Sequence, residues 1–186
     1  MPRFPVIAGI SVILVLTALA LWLDRSATPA PQLSAASIQG VAVSVGPFYS
    51  AKFSDLQGRV QTLGQWERKL LVLNFWATWC GPCKEEMPVL SKLQTLYGEQ
   101  NLQIVGIAAD SLLNVSNFSK SMNINYPIFV DETGAIEFSK RLGNRLGLLP
   151  HTVVLSPGGS IIYNKLGPFT ELELGDIIGK NTKNIH

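Results

Sequence analysis

Cysteine and histidine are scarce in this chain, with two of each in 186 residues. A structural zinc site normally draws four ligands of those kinds, so Cys80, Cys83, His151 and the final residue His186 make a poor set, and neither a metal nor a cofactor is expected. An excess of one charge is also lacking. Fifteen Lys and Arg stand against thirteen Asp and Glu, a net charge of +2, and no basic run breaks the balance. A nucleic-acid partner is therefore not expected. Internal repeats and low-complexity domains are absent. The N-terminal region holds no cysteine, which excludes a lipid-modified cysteine as an anchor.

What the chain does have is enough length for one ordinary domain that buries its own core, and an apolar content of 47% concentrated near its start. Residues 4–23 carry no charge; Arg3 precedes them and Asp24-Arg25 closes them. As a helix, twenty residues span a bilayer core of roughly 30 Å. Trp22 then falls near the far headgroups and Arg3 stays inside, so the rest of the chain is exported. A cleaved signal peptide is the competing reading, because Ala18-Leu19-Ala20 forms a passable small-residue cleavage site. Both readings place the remainder on the extracytoplasmic, periplasmic-type side.

Residues 26–39 are rich in Ala, Ser and Pro and read as a tether. The expected organisation is an anchor or signal at 1–25, a linker at 26–40 and a folded domain at 41–186. Val41, Val43 and Val45 alternate as a short strand that Gly46-Pro47 ends. Phe53-Ser54 and Arg59-Val60-Gln61 flank a turn-rich Asp55-Leu56-Gln57-Gly58 and suit a hairpin, read as an N-terminal extension.

From Leu70 the pattern changes. Residues 70–76 are nearly continuous apolar sequence, as in a strand covered on both faces. A helix follows at about 82–97, a second buried strand at 102–109 and a helix at 113–122. A short strand at 126–130 and a helix at 135–142 come next. Two strands at 152–155 and 160–166 are parted by Pro157-Gly158-Gly159, and a last helix opens at Thr170 with Glu173 completing a capping box, running to about Ile178. This order predicts an α/β fold, a mixed central sheet flanked by helices.

The chemistry gathers at Cys80-Gly81-Pro82-Cys83, between a buried strand and a helix. Two cysteines three apart at a helix start share one face and can close a short disulfide loop, and Pro82 is tolerated in the first turn. Cys80, at the helix mouth, sees unpaired N–H groups and the positive dipole end that stabilise a thiolate, so it is the expected nucleophile. Cys83, one turn inward, is the expected resolving thiol. An inert scaffold disulfide is the bland alternative. Glu86 falls on the apolar stripe of Val89, Leu90, Leu93 and Leu96-Tyr97, so it points inward. A carboxylate in apolar surroundings gains proton affinity, which suits proton exchange with Cys83.

The run from Asn74 to Pro88, Asn-Phe-Trp-Ala-Thr-Trp-Cys-Gly-Pro-Cys-Lys-Glu-Glu-Met-Pro, resembles the active-site segment of TlpA/ResA-type membrane-anchored thioredoxin-like proteins, and the resemblance extends more loosely over about 45–180. It implies a thioredoxin fold with an N-terminal hairpin and transfer of electrons to disulfides in exported proteins, commonly during cytochrome c maturation. A reductant in an oxidising compartment needs electrons delivered from a membrane partner, so a membrane electron donor for re-reduction is expected. Asn74 stands where thioredoxins carry a buried Asp, and Glu86 matches a glutamate of this subgroup. The Leu149-Pro150 step matches a cis-proline held opposite the cysteines, leaving the Leu149 backbone to pair with an extended substrate. Trp79, Gly81, Pro82, Leu149 and Pro150 are thus the expected substrate-facing residues. The Gly-Pro pair between the cysteines is that of thioredoxin and favours a reductant.

Trp76 and Trp79 alternate, one expected in the core and the other near the sulfurs. Lys84 reads as a solvated helix lysine. His151 departs from the subgroup's usual Thr and either tunes the cysteines or faces outward. Two other functions fit parts of the pattern: a copper-binding module using Cys80, Cys83 and His151, and a thiol peroxidase, whose motif and cysteine spacing differ.

Overall fold

The structure, a computed structural model, describes residues 46–183. The apolar segment 4–23, the tether 26–39, the strand expected at Val41–Val45 and His186 lie outside the described residues. Among the described residues no helix is long and apolar enough to cross a membrane.

Among the described residues seven strands form one mixed sheet in the order β2-β1-β5-β4-β3-β6-β7. The strands are β1 (Lys52–Asp55), β2 (Val60–Thr62), β3 (Leu70–Trp76), β4 (Leu102–Ala108), β5 (Ile128–Val130), β6 (His151–Leu155) and β7 (Ile161–Leu166). The helices are α1 (Gly46–Tyr49), α2 (Gly81–Tyr97), α3 (Leu112–Ser121), α4 (Gly134–Arg141) and α5 (Glu171–Thr182), with a 3-10 turn at Leu63–Trp66. β3 runs parallel to β4, and β4 to β5, because helical crossovers join them. β6 returns antiparallel against β3 and turns back into β7 through Gly158 and Gly159, both at positive φ.

Every residue of β3 and β6 is buried, as expected of strands covered on both faces. β7 alternates half-buried and exposed positions, the mark of a sheet edge with one wet face. On one face Phe75, Phe138 and Leu142 pack with Phe48 and Phe53. On the other, Leu90 and Leu93 of α2 meet Leu174 and Ile178 of α5 over Val72 and Ile104.

The predicted hairpin is present, and it is more than an appendage. β1 pairs antiparallel with β5, Ser54 opposite Val130, and so continues the sheet. Asp55 fixes its turn by accepting from the N–H groups of Gln57 and Arg59 at 3.0 and 2.9 Å. β5 begins at Ile128 rather than Tyr126, since Pro127 has no N–H for the ladder and contributes only its carbonyl, which accepts from Gly106. The capping box at Thr170 and Glu173 forms, and α5 continues past Ile178 to Thr182. Neither α1 nor the 3-10 turn is legible as a periodic pattern, both being single turns.

Candidate active site

β3 delivers the chain to the sheet's end at Trp76, and a four-residue loop leads into α2. That loop is tied twice. The N–H of Ala109 donates to the Trp76 carbonyl at 2.8 Å, and Asp110 accepts from both the N–H of Thr78, at 3.1 Å, and its hydroxyl. Asp110 also accepts from the Ser111 N–H at 2.7 Å and the Asn114 amide at 2.8 Å. Burial pushes this carboxyl up, but its donors, the Thr78 hydroxyl first, hold it below the usual range.

Cys80 is the N-cap of α2, in extended backbone, and its Sγ accepts from the N–H of Cys83 at 3.3 Å. The two sulfurs are joined in a disulfide, with Cα atoms 5.3 Å apart. Cys83 is wholly enclosed and Cys80 is 5% exposed, so the cysteine at the helix mouth is the more open one. Gly81 and Pro82 are exposed in the first helical turn. Trp79 stands 71% exposed beside them, whereas Trp76 is buried under the cysteines against Phe118. Lys84 is partly exposed in the next turn.

Glu86 lies one turn beyond Cys83 and is buried between α2 and the sheet. Its Oε1 accepts from Nδ2 of Asn74 at 2.6 Å, and the same amide donates to Oγ1 of Thr152 at 3.1 Å. Oε2 has no partner of hydrogen-bond geometry among the described residues, although the Phe169 backbone lies close enough to favour the charged form. Burial outweighs both, and the carboxyl is pushed up to about 7. It can therefore gain or lose a proton near neutrality.

The Leu149–Pro150 peptide is cis. Leu149 packs against the apolar cluster that holds Cys80 and Cys83. Among the described residues nothing bonds its backbone N–H or carbonyl. Pro150 leads into β6, whose first residue pairs with Phe75 one position before the end of β3, and this register brings the proline to the cysteine end of the sheet.

His151 does not face outward. It is fully buried and stacked on Phe75, on the face away from Asn74 and Glu86. Nδ1 is 2.7 Å from the Ser139 hydroxyl and Nε2 is 2.9 Å from Oδ1 of Asn164. Burial lowers its proton affinity. With both nitrogens engaged it offers no free lone pair to a metal beside the cysteines. Among the described residues no group of three His, Cys, Asp or Glu side chains could hold a metal ion.

The Thr78–Asp110 tie is absent from the reading of the sequence. Its signal was an acidic residue just past the C-terminal end of β4, where open α/β sheets gather their functional loops.

The model of the Redoxin family matches residues 28–178. The chain belongs to the Redoxin family. It is 32% identical over 130 residues to the thiol-disulfide oxidoreductase ResA of Bacillus thuringiensis subsp. konkukian, covering 69% of this chain and 73% of that protein. Its identity to ResA of Bacillus subtilis is 30% over 123 residues, 66% of each chain. Among solved structures, a thioredoxin-related protein from Neisseria meningitidis serogroup B is 34% identical, with a TM-score of 0.62 over 72% of this chain and 98% of that one. A DsbE-type thiol:disulfide interchange protein from Chlorobium tepidum matches in fold, with a TM-score of 0.65 at 20% identity over 71% of this chain and 92% of that one. Within the Redoxin family the chain is a thioredoxin-like thiol-disulfide oxidoreductase.

Proposed function

We propose that the chain reduces disulfides in exported proteins, with Cys80 as the attacking sulfur, Cys83 as the resolving one and Glu86 as the proton acceptor. The observation that carries this is the placement of Cys80 at the N-cap of α2 with the titratable, buried Glu86 one turn past Cys83. In the reduced protein the Cys80 thiolate, stabilised by the helix terminus, attacks a substrate disulfide. One substrate sulfur leaves as a thiolate and takes a proton from solvent. Cys83 gives its proton to the Glu86 carboxylate and attacks the mixed disulfide at Cys80. The second substrate sulfur then departs, the Cys80–Cys83 bond closes, and two electrons have passed to the substrate.

Trp79, Gly81, Pro82, Leu149 and Pro150 make the substrate face. The exposure of Trp79 and the unengaged backbone of Leu149 support it, since an extended segment can add to that backbone as a strand does. Residues 4–23 hold the domain to the outer face of a membrane, and a membrane dithiol returns the electrons. The substrate class we assign is the apocytochrome c haem-attachment segment, a Cys-X-X-Cys-His run whose sulfurs must be free before haem is joined.

The test mixes reduced protein with an oxidised Cys-X-X-Cys-His peptide and follows free thiols on each partner by alkylation and mass. Transfer of two electrons to the peptide, and a trapped Cys80-linked conjugate in Cys83→Ser, are expected. Electron flow only from peptide to protein overturns the reductase assignment. The chain should stay with membranes through a high-salt wash and leave with detergent; release by salt alone overturns the anchor.

A further inference from the structure

Four buried polar atoms around Glu86 have no hydrogen-bond partner among the described residues: Oδ1 of Asn74, Oε2 of Glu86, Nε1 of Trp76 and the hydroxyl of Tyr126. The fold brings them together. Asn74 pairs with Gly106 in the β3–β4 ladder, so both positions address the same face of the sheet. Gly106 leaves room there that two rings enter. A Cβ at Gly106 would lie 3.0 Å from Nε1 of Trp76 and 3.3 Å from a ring carbon of Tyr126. Glu86 is bound to Asn74 at 2.6 Å, and its charge is one of the influences that raise the Tyr126 hydroxyl, after burial.

The four atoms are complementary to one molecule. The Trp76 indole only donates and the Tyr126 hydroxyl can donate, whereas the Asn74 carbonyl and a Glu86 carboxylate oxygen accept. A water molecule accepts two hydrogen bonds and donates two, and it is the usual partner of polar groups stranded together in a core. Leaving four such groups unsatisfied costs more than ordering one water. Tyr126 also lines an open cleft of about 350 Å³ beside Asp55, Arg59 and Trp66, while its hydroxyl stays buried on the inner side.

We propose that Trp76, Tyr126, Asn74 and Glu86 form a four-point cage for one buried water, and that Tyr126 acts through it as a positioning residue for the free oxygen of Glu86. The other ionisable group that feels the Glu86 charge is Tyr163 from β7, whose hydroxyl is committed to Glu173 at 3.0 Å, and Cys83 on the same helix is closed in the disulfide and does not titrate. No basic side chain bonds Glu86 among the described residues. The charged form of Glu86 is favoured by the Asn74 amide and the Phe169 backbone, and the cage adds a further donor to its free oxygen. The inference rests on Glu86 as the proton-holding group, but it is tested without thiols.

The experiment is an NMR titration of the oxidised protein with 13C-labelled glutamate carboxyls, using Glu86→Gln to assign the signal. Tyr126→Phe removes one hydroxyl from the cage, and the Glu86 midpoint should rise by about half a unit to one unit. In the unmodified protein the Trp76 indole proton should show cross-relaxation with a long-lived water. An unchanged midpoint in folded Tyr126→Phe, or an indole proton with no such water, overturns the cage. Neither reading depends on disulfide exchange, so the cage can fail while the cysteine chemistry stands.

Discussion

The amide of Asn74 donates to the carboxylate of Glu86 across 2.6 Å, and neither side chain reaches solvent to any useful extent. Asn74 cannot titrate, so the ionisable member of this pair is the Glu86 carboxyl on α2. The amide favours the charged form of Glu86, burial favours the neutral one, and burial wins.

That balance fixes a sign for stability against pH. A carboxyl that titrates at about 4.5 in the unfolded chain and about 7 in the fold keeps its proton longer when folded. Its contribution is fully present below pH 4.5 and is lost as the pH rises to 7, a loss of about 3 kcal/mol. Urea unfolding of the oxidised protein at pH 4.5, 5.5, 7 and 8 should show this decline against Glu86→Gln. The difference between the two proteins, rather than either alone, carries the prediction, since Asp110 and His151 titrate with the opposite slope.

Glu86→Gln should also change the chemistry. The pH dependence of disulfide exchange near neutrality should flatten, and release of the mixed disulfide by Cys83 should slow about 100-fold, the low end of what a positioned base contributes. Stopped-flow mixing with an oxidised peptide reads both. An unaltered profile removes Glu86 from the mechanism.

Asp110 should act on the loop rather than on the sulfurs. Asp110→Ala leaves the donors of Thr78, Ser111 and Asn114 without their acceptor, at a cost of about 1–3 kcal/mol. Amide exchange should accelerate at Thr78 and Trp79, while the strands β3 and β6 keep their protection.

Gly106→Ala should destabilise the domain by about 1–3 kcal/mol, because the new methyl lies 3.0 Å from Nε1 of Trp76 and 3.3 Å from the Tyr126 ring, closer than ordinary van der Waals contact. Denaturant unfolding followed by tryptophan fluorescence measures the cost.

His151→Leu should cost stability while leaving the redox potential of the cysteines unchanged. The substitution strands the Ser139 hydroxyl and the Asn164 carbonyl on the face away from Glu86. A shifted potential would restore the tuning role that the sequence allowed.

Much of this was legible in the residues. The apolar run at Leu70–Trp76 announced a covered strand, and Cys80 before Gly81-Pro82 announced a helix mouth, because local composition dictates both. The stripe through Leu90 and Leu93 placed Glu86 inward by periodicity alone. The two hairpins, β1–β2 and β6–β7, were legible from their turns, whereas pairing between segments distant in sequence was not. The meeting of β1 with β5, the turning of His151 away from the cysteine side and the gathering of Trp76 and Tyr126 over Gly106 depend on register between distant segments. No single window of sequence encodes that register.

The proposed chemistry requires Cys80 and Cys83 to cycle between bonded and free. Equilibration of the protein in a series of dithiothreitol redox buffers, followed by alkylation and mass measurement, tests it most directly. One reversible two-electron transition is expected, with both sulfurs modified at the reducing end and neither at the oxidising end. A disulfide that no buffer opens, or thiols that do not close again on oxidation, would contradict it.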